Sequence, residues 1–449
     1  MRSFLFKMLM IGVLAVLLFV AGTMVRGVVS DRIMNRDVAR ASIAESLAES
    51  QTLAGLVLVV DYTERWNEPV LGKDGSVLRQ DARTLKHEMI VLPEMLKLNA
   101  ALRSDPRHRG IFHINAYVLE GKLAGALKMP ALESLVRSQP VSTLRINGAR
   151  AVLAVSDPRG LRKAVLKLDN QLLAMEAGTG FEQMSSGAHA SLPNADTLAG
   201  RTVNFELALE LAGTDAFRMV PLARETSAQL NSAWPHPSFG GRFLPVTRTI
   251  SDKGFEAEWQ ISALASNARQ TWQAATRAPS GLAVDAFAVS MIDPVDIYSM
   301  SDRASKYAEL FIALTLGAFL LFELLRRLNL HPMNYLLIGA ALLIFFLMLL
   351  SLSEQLGFGL AYLAAASACV LLIGFYSAHL LRSLCLATGF TLGLGALYGA
   401  LYVILLSEQN ALLMGSLLLF ALLACVMVAT RKVDWHALLA VRGEDKTLS

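Results

Sequence analysis

The chain has 449 residues, of which 54% are hydrophobic and 17% are charged, and its formal net charge at pH 7 is +4. This composition excludes an ordinary soluble protein, because long apolar runs occupy residues 8–25 and most of residues 308–430 while the middle has ordinary polarity. The sequence therefore predicts a membrane protein with a large water-soluble insert.

Six windows are long and apolar enough to cross a hydrocarbon core about 30 Å thick. One lies near the N-terminus and five near the C-terminus, at residues 7–25, 307–325, 334–352, 357–376, 384–406 and 411–429. The first window is longer than the apolar region of a signal peptide and has no clear A-x-A cleavage site, which favours an uncleaved anchor over a cleaved signal.

Lysine and arginine in the short loops predict the orientation of the spans. They occur after the second and fourth windows and in the tail, at Arg326, Arg327, Arg382, Arg431, Lys432, Arg442 and Lys446. This pattern predicts cytoplasmic segments at residues 1–6 and 431–449 and an exported segment at residues 26–306. Arg26, Arg32 and Arg36 follow the first window, but a long exported domain is largely exempt from the charge rule.

The exported segment has mostly strand patterns. Residues 31–50 are rich in helix formers and predict a short juxtamembrane helix. From Val203 to Leu211, apolar residues alternate with polar ones, which is the period of a strand with one wet face. Weaker alternation in "LAGLVLVVDY", "GIFHINAYVLEG", "ARAVLAVSD" and "GFEAEWQIS" predicts an antiparallel, sandwich-like domain. All three cysteines, Cys369, Cys385 and Cys425, lie in or beside predicted spans, so this domain folds without disulfides.

Two exported stretches contain candidate site residues. In "WPHPSFGGRFLP", prolines fix the backbone around His236, and Trp234 and Phe239 are suited to anchor it against a sheet, with a ligand rim as the alternative. In "YSMSDRASKYAELF", Ser301 or Asp302 is the predicted N-cap of the second span, and Lys306 and Glu309 are predicted to pair. In "DPVD", Asp293 and Asp296 have the pattern of turn aspartates that bond their own backbone.

The word "LSEQ" occurs twice, at residues 352–355 and 406–409, between apolar runs. We interpret Glu354 and Glu408 as polar tips of two helical hairpins, and a functional parallel repeat is the alternative. Glu323 is predicted to form an interfacial ion pair with Arg326 or Arg327. Paired glycines in "GFTLGLGALYGALY" indicate close helix packing, and no H-E-x-x-H, G-x-S-x-G or P-loop motif is present in the exported part.

Several stretches together resemble the CreD family of bacterial inner-membrane proteins. They occur in family order as "GTGFEQ", "WPHPSFGGRFLP", "GFEAEWQ", "SDRASKYAELFIALT", "HPMNYLLIG", "LSEQLGF", "ALLMGS" and "TRKVDW". The resemblance implies an anchor, a large periplasmic domain and a helical membrane domain. It also implies a role in envelope stress or integrity as an output of a two-component regulatory system, and no established enzymatic activity or cofactor comes with it.

The predicted fold class is an α+β membrane protein with a transmembrane anchor (7–25), a β-rich periplasmic domain (26–306) and a five-helix transmembrane domain (307–430). The leading hypothesis is a non-enzymatic inner-membrane protein whose periplasmic domain binds, senses or scaffolds an envelope component. The alternative is a transporter or lipid-handling protein. We expect the bilayer and an envelope protein or cell-wall component as partners, and no nucleic acid, metal or cofactor. The candidate functional or interface residues are Trp234, His236, Phe239, Asp302, Arg303, Lys306, Glu354 and Glu408.

Overall fold

The computed structural model describes residues 2–71, 77–169, 171–180, 185–274, 285–292, 296–326, 330–381, 383–407 and 410–431. The chain divides into two compact units. The helical unit comprises Met1–Asp37 and Val295–Ser449, and the β unit comprises Val38–Pro294. The predicted limits of 7–25, 26–306 and 307–430 are different, because they describe which segments lie in the bilayer and not which residues pack together. Those predicted limits stay a prediction.

The chain begins with one helix of 45 residues, α1 (Arg2–Ser46). The predicted juxtamembrane helix is confirmed for residues 31–46, but it is the continuation of α1 and not a short helix of its own, because the helix runs without a break through residues 26–30. That segment contains no proline, and Gly27 alone costs a helix only about 1 kcal/mol. Leu18, Val25 and Val29 are buried.

The described residues of the β unit form two eight-stranded sheets and a two-stranded ribbon. The strands are β1 (Gln51–Leu71), β2 (Val77–Val91), β3 (Met95–Ser104), β4 (Arg107–Arg109), β5 (Phe112–Ile114), β6 (Ala116–Lys128), β7 (Thr143–Val155), β8 (Leu161–Leu168), β9 (Gln171–Leu173), β10 (Glu176–Ala177), β11 (Gly187–Leu192), β12 (Thr202–Thr214), β13 (Ala216–Val220), β14 (Glu225–Ser232), β15 (Pro237–Gly241), β16 (Thr247–Ser251), β17 (Gly254–Ser262) and β18 (Phe287–Met291). A short helix, α2 (Ala268–Ala274), precedes β18.

The first sheet has the order β10-β11-β7-β1-β13-β18-β15, with β2 paired to β1, and the second has the order β16-β17-β14-β3-β6-β12-β8-β9. One hydrophobic core takes side chains from both sheets, including Leu58 and Val60 of β1 and Leu207 and Leu209 of β12. The predicted alternation in β12 is confirmed, since its inward residues are buried. The antiparallel prediction is wrong for two pairings, because β1 with β13 and β3 with β14 are parallel. Alternation reports which face of a strand is buried and not its direction.

The described residues of the helical unit form six further helices: α3 (Ile297–Lys306), α4 (Ala308–Arg326), α5 (Pro332–Leu356), α6 (Phe358–Leu381), α7 (Leu384–Leu406) and α8 (Ala411–Thr430). Within the described residues, four helices are long and apolar enough to cross a membrane, namely α1, α5, α6 and α7. The number of candidate spans rises to five if α3 and α4, which meet at a bend of 41°, are counted as one span. The described apolar part of α8, Leu413–Val428, is shorter. The count of six spans stays a prediction.

Close helix packing in this unit uses glycines other than the predicted ones. A Cβ added at Gly389 or Gly393 of α7 would meet nothing within 4 Å, and the same holds for Gly395 and Gly399, so that prediction is wrong. A Cβ added at Gly339 of α5 would instead overlap the Leu18 side chain of α1. A glycine spacing permits close approach, but the neighbouring helix decides which glycine is used.

Candidate functional site

Basic side chains follow the apolar part of α1 at Arg26, Arg32, Arg36 and Arg40. Each lies within 4 Å of an acidic side chain on another element of its own unit. Arg40 pairs with Asp215 inside the β unit, at 2.7 Å from Nη2 to Oδ2. The other three pair inside the helical unit, where Arg26, Arg32, Arg36, Asp296, Glu309 and Glu354 form what we call the α1 ion-pair cluster.

Two of these pairs have short contacts. Arg26 Nη2 lies 2.5 Å from Glu309 Oε1 of α4, and Arg26 Nε donates to the Ser305 carbonyl at 3.4 Å. Arg36 Nη1 lies 2.6 Å from Asp296 Oδ2, at the beginning of α3. These contacts attach α1 to α3 and α4 through charge-assisted hydrogen bonds, which are roughly twice as strong as neutral ones.

Glu354 forms the third pair and is 90% buried, with 10% of its side chain exposed. It lies in the last turn of α5, with Arg32 Nε at 3.8 Å and the Tyr298 hydroxyl at 3.3 Å from its carboxylate. Its predicted place at the end of a helical hairpin is confirmed, but its side chain is mostly buried and paired and is not an exposed tip. Helix α5 continues to Leu356, so the chain turns at Gly357 and Glu354 packs inside the unit. Glu408 lies outside the described residues.

The cluster has three cations and three anions, so it is neutral as a whole. Paired charges are cheaper to place beside a bilayer than isolated ones. The cluster can therefore hold α1 against the neighbouring helices of its unit. It presents no nucleophile held by a general base, which is the arrangement that covalent catalysis requires.

The α3 candidates lie beside the cluster. Lys306 Nζ lies 2.8 Å from Asp302 Oδ2 one turn earlier, and both side chains are partly exposed. The predicted Lys306–Glu309 pair is wrong, because a bend separates α3 from α4 and Glu309 faces Arg26 instead. The predicted N-cap is also wrong, since Asp296 caps α3 through Tyr298 N–H. Arg303 is partly buried on the same helix.

Two of the three candidate residues of the β unit, Trp234 and Phe239, pack against its core. Phe239 of β15 makes edge contacts with the rings of Phe255 and Trp259, at 5.6 and 5.7 Å between centroids. Trp234 packs against the core, and its indole N–H donates to the His236 carbonyl at 3.1 Å. The His236 side chain is exposed. These contacts agree with the packing interpretation of "WPHPSFGGRFLP".

Glu64 is a buried carboxylate of the β unit that the sequence analysis did not single out. Glu64 of β1 accepts hydrogen bonds from the Ser138 and Gln139 backbone N–H groups at 2.9 Å and contacts His87 Nε2 at 2.8 Å. Burial raises the pKa of Glu64, but these hydrogen bonds outweigh burial and hold that pKa well below the usual glutamate value. The available signal was the inward face of β1, on which Glu64 follows Val60 and Tyr62 at spacings of two.

The predicted ion pair of Glu323 stays a prediction, because the side chain of Arg326 and all of Arg327 lie outside the described part of the chain. Glu323 of α4 is buried and accepts a hydrogen bond from the Tyr335 hydroxyl at 2.7 Å. Among the side chains that the structure describes, no group of three or more His, Cys, Asp or Glu residues is placed to hold a metal ion.

Comparison with known proteins gives one family. The model of the family described as "Inner membrane protein CreD" matches residues 3–436. The "Inner membrane protein CreD" of Escherichia coli (strain K12) is 35% identical over 424 residues, which cover 94% of this chain and 91% of that protein.

Among solved structures, an M1 zinc metallopeptidase from Deinococcus radiodurans, as an E323A mutant bound to Tyr-Ser-Ala, aligns with a TM-score of 0.24 and 10% identity. The alignment covers 44% of this chain and 42% of that one. A second structure of the E323A mutant of that metallopeptidase aligns with a TM-score of 0.23 and 10% identity. At these scores the likeness carries no argument about fold or function.

Proposed function

Because the chain belongs to the CreD family of inner membrane proteins, we propose that it is a non-enzymatic, multi-pass protein that supports cell-envelope integrity or the envelope stress response. In this proposal the β unit is periplasmic and binds, senses or scaffolds an envelope component. The protein acts as an output of a two-component regulatory system.

The observation that carries the proposal is the independent core of the β unit. Two sheets enclose one hydrophobic core, and the sequence of this unit contains no cysteine. A domain of that size folds in an oxidising compartment without disulfides. A self-contained, water-soluble domain held to the membrane by a 45-residue helix suits contact with other envelope components.

The basic residues after the first apolar segment are compatible with the proposed orientation. Arg26, Arg32 and Arg36 lie on the side assigned to the periplasm, and a long exported domain is largely exempt from the charge rule. Within the helical unit they pair with Glu309, Glu354 and Asp296.

Labelling of single cysteines in sealed cells tests the orientation. Cys369, Cys385 and Cys425 are first replaced by alanine, and R107C or H236C is then introduced at an exposed site of the β unit. A membrane-impermeant maleimide is expected to label both variants in intact cells, while K446C in the tail is labelled after lysis only. Labelling of R107C and H236C after lysis only would contradict the proposal.

A challenge experiment tests the role. Cells that lack the protein are expected to lose viability faster under an envelope-damaging detergent, and the full chain is expected to restore survival. Equal survival with and without the protein would contradict the envelope role.

Transport by the helical unit is the second candidate function, and buried Glu323 is the observation that favours it. An ionisable side chain inside a membrane helix is a functional candidate by default. Under this candidate E323Q abolishes the envelope phenotype at a normal protein level, while Y335F weakens it. An unchanged envelope phenotype in the E323Q variant would contradict the transport function.

A further inference from the structure

We infer that α1 and α4 form a binding groove for one phospholipid that carries a primary ammonium group. The groove is open, has a volume of about 360 Å³, and is lined by α1 from Ile11 to Phe19 and by α4 from Glu309 to Leu320. This volume lies within the usual range of ligand sites. The inference depends on the inner-membrane location that family membership establishes, and not on the proposed envelope role.

Small residues leave the space for an acyl chain. Ala15, Ala313 and Gly317 line the groove, and a Cβ added at Gly317 would meet nothing within 4 Å. Apart from Glu309, the lining side chains are apolar. Water in such a groove finds too few hydrogen-bond partners, so hydrocarbon fills it inside a bilayer.

The length of the groove matches one leaflet. Eleven residue steps separate Glu309 from Leu320, and a rise of 1.5 Å per residue gives about 16 Å. That is about half of a hydrocarbon core roughly 30 Å thick. One acyl chain that enters beside Glu309 therefore reaches the bilayer centre near Leu320.

At one end the groove is lined by the anionic Glu309, and Arg26, which contacts Glu309, places a cation beside it. Arg26 and Glu309 contact each other, yet 35% and 34% of their side chains stay exposed. A guanidinium carries five N–H donors, so Arg26 has the capacity to bind a lipid phosphate while it contacts Glu309. Glu309 is then placed to accept from a primary ammonium. A headgroup that is only anionic would meet repulsion from Glu309, and a quaternary ammonium has no N–H to donate.

The test measures lipids retained by the purified full chain in native mass spectrometry. The probes are phosphatidylethanolamine, phosphatidylcholine and phosphatidylglycerol with identical acyl chains, each added from mixed micelles. The expected result is one bound phosphatidylethanolamine per chain, preferred about tenfold over each of the other two lipids. Equal retention of the three lipids would overturn the headgroup assignment.

Two variants localise the site. G317L fills the groove and is expected to reduce retention about tenfold, while G389L, placed in open space on α7, retains the lipid as the unmodified chain does. E309Q is expected to remove the preference for phosphatidylethanolamine over phosphatidylcholine while an acyl chain still binds. Thermal unfolding in the same detergent verifies that the variants are folded. Unchanged retention by folded G317L would overturn the proposal. If the purified chain proves to be a dimer that G317L dissociates without loss of lipid, a second copy of the chain occupies the groove, and this result would also overturn the proposal.

Discussion

The Asp296 carboxylate binds Arg36 and caps α3 at the same time. Oδ2 accepts from Arg36 Nη1 at 2.6 Å, and Oδ1 accepts from the Tyr298 backbone N–H at 3.2 Å. The Arg36 guanidinium also lies 5.5 Å from the centre of the Tyr298 ring. One side chain therefore fixes both the beginning of α3 and its attachment to α1.

This double role predicts different costs for two substitutions. D296N keeps a good N-cap and loses the ion pair, so we expect a loss of about 0.5–1 kcal/mol. D296A loses both, and we expect about 1–3 kcal/mol. Thermal unfolding of the full chain in detergent measures both changes, with R36Q and R36Q/D296N closing a double-mutant cycle. Equal losses for D296N and D296A would contradict the capping role.

Glu354 is expected to matter more than Asp302. E354Q removes a mostly buried carboxylate that pairs with half-exposed Arg32 and accepts from the Tyr298 hydroxyl, and we expect a loss of about 1–3 kcal/mol. D302N breaks only the partly exposed pair with Lys306, and we expect at most about 0.5 kcal/mol. The unfolding midpoints of the two full-length variants in one detergent provide the comparison. A neutral E354Q would contradict the stabilising role of this carboxylate.

The sequence predicted the strands with regular alternation and the apolar helices, because burial of one face leaves a period in the residues. It did not predict the α1 ion-pair cluster, because Arg26 and Glu309 are 283 positions apart and no local pattern links them. The spacing of four from Arg32 to Arg36 to Arg40 did mark one basic face of a helix. The burial of Glu354 was not predicted, because hydropathy locates a span but does not show which residues at its end pack inside the unit.

Glycine substitutions test the packing of the helical unit. G339A places a methyl group against Leu18, and we expect a loss of about 1–3 kcal/mol from overpacking. G389A meets open space, so we expect no loss and a gain of up to about 1 kcal/mol in helix stability. Both are measured as unfolding midpoints in detergent. An unchanged unfolding midpoint for G339A together with a lowered midpoint for G389A would contradict the packing described for these two glycines.

Glu64 makes the β unit sensitive to acid. Because its folded-state pKa lies below the usual value, its contribution is complete above the unfolded-state pKa and is lost as pH falls through the folded one. We expect stability to decline below about pH 5. The fluorescence of buried Trp259 and Trp272 follows unfolding of the full chain.

E64Q is expected to be less stable at pH 7 and to show a smaller decline in acid. The matched control is E120Q, which alters an exposed carboxylate paired with Arg103 on the same unit. E120Q should keep the acid dependence of the unmodified chain. An identical acid decline in E64Q would show that another group is responsible.

The most direct test of the central claim is in-cell crosslinking from the β unit. A photoreactive residue is placed at exposed His236 or Arg107, with Leu372 on the outer face of α6 as the membrane control. We predict that His236 or Arg107 captures one specific periplasmic protein or cell-wall component that Leu372 does not capture. Capture of lipid alone at Leu372, with nothing specific at His236 or Arg107, would contradict the claim that the β unit binds an envelope component.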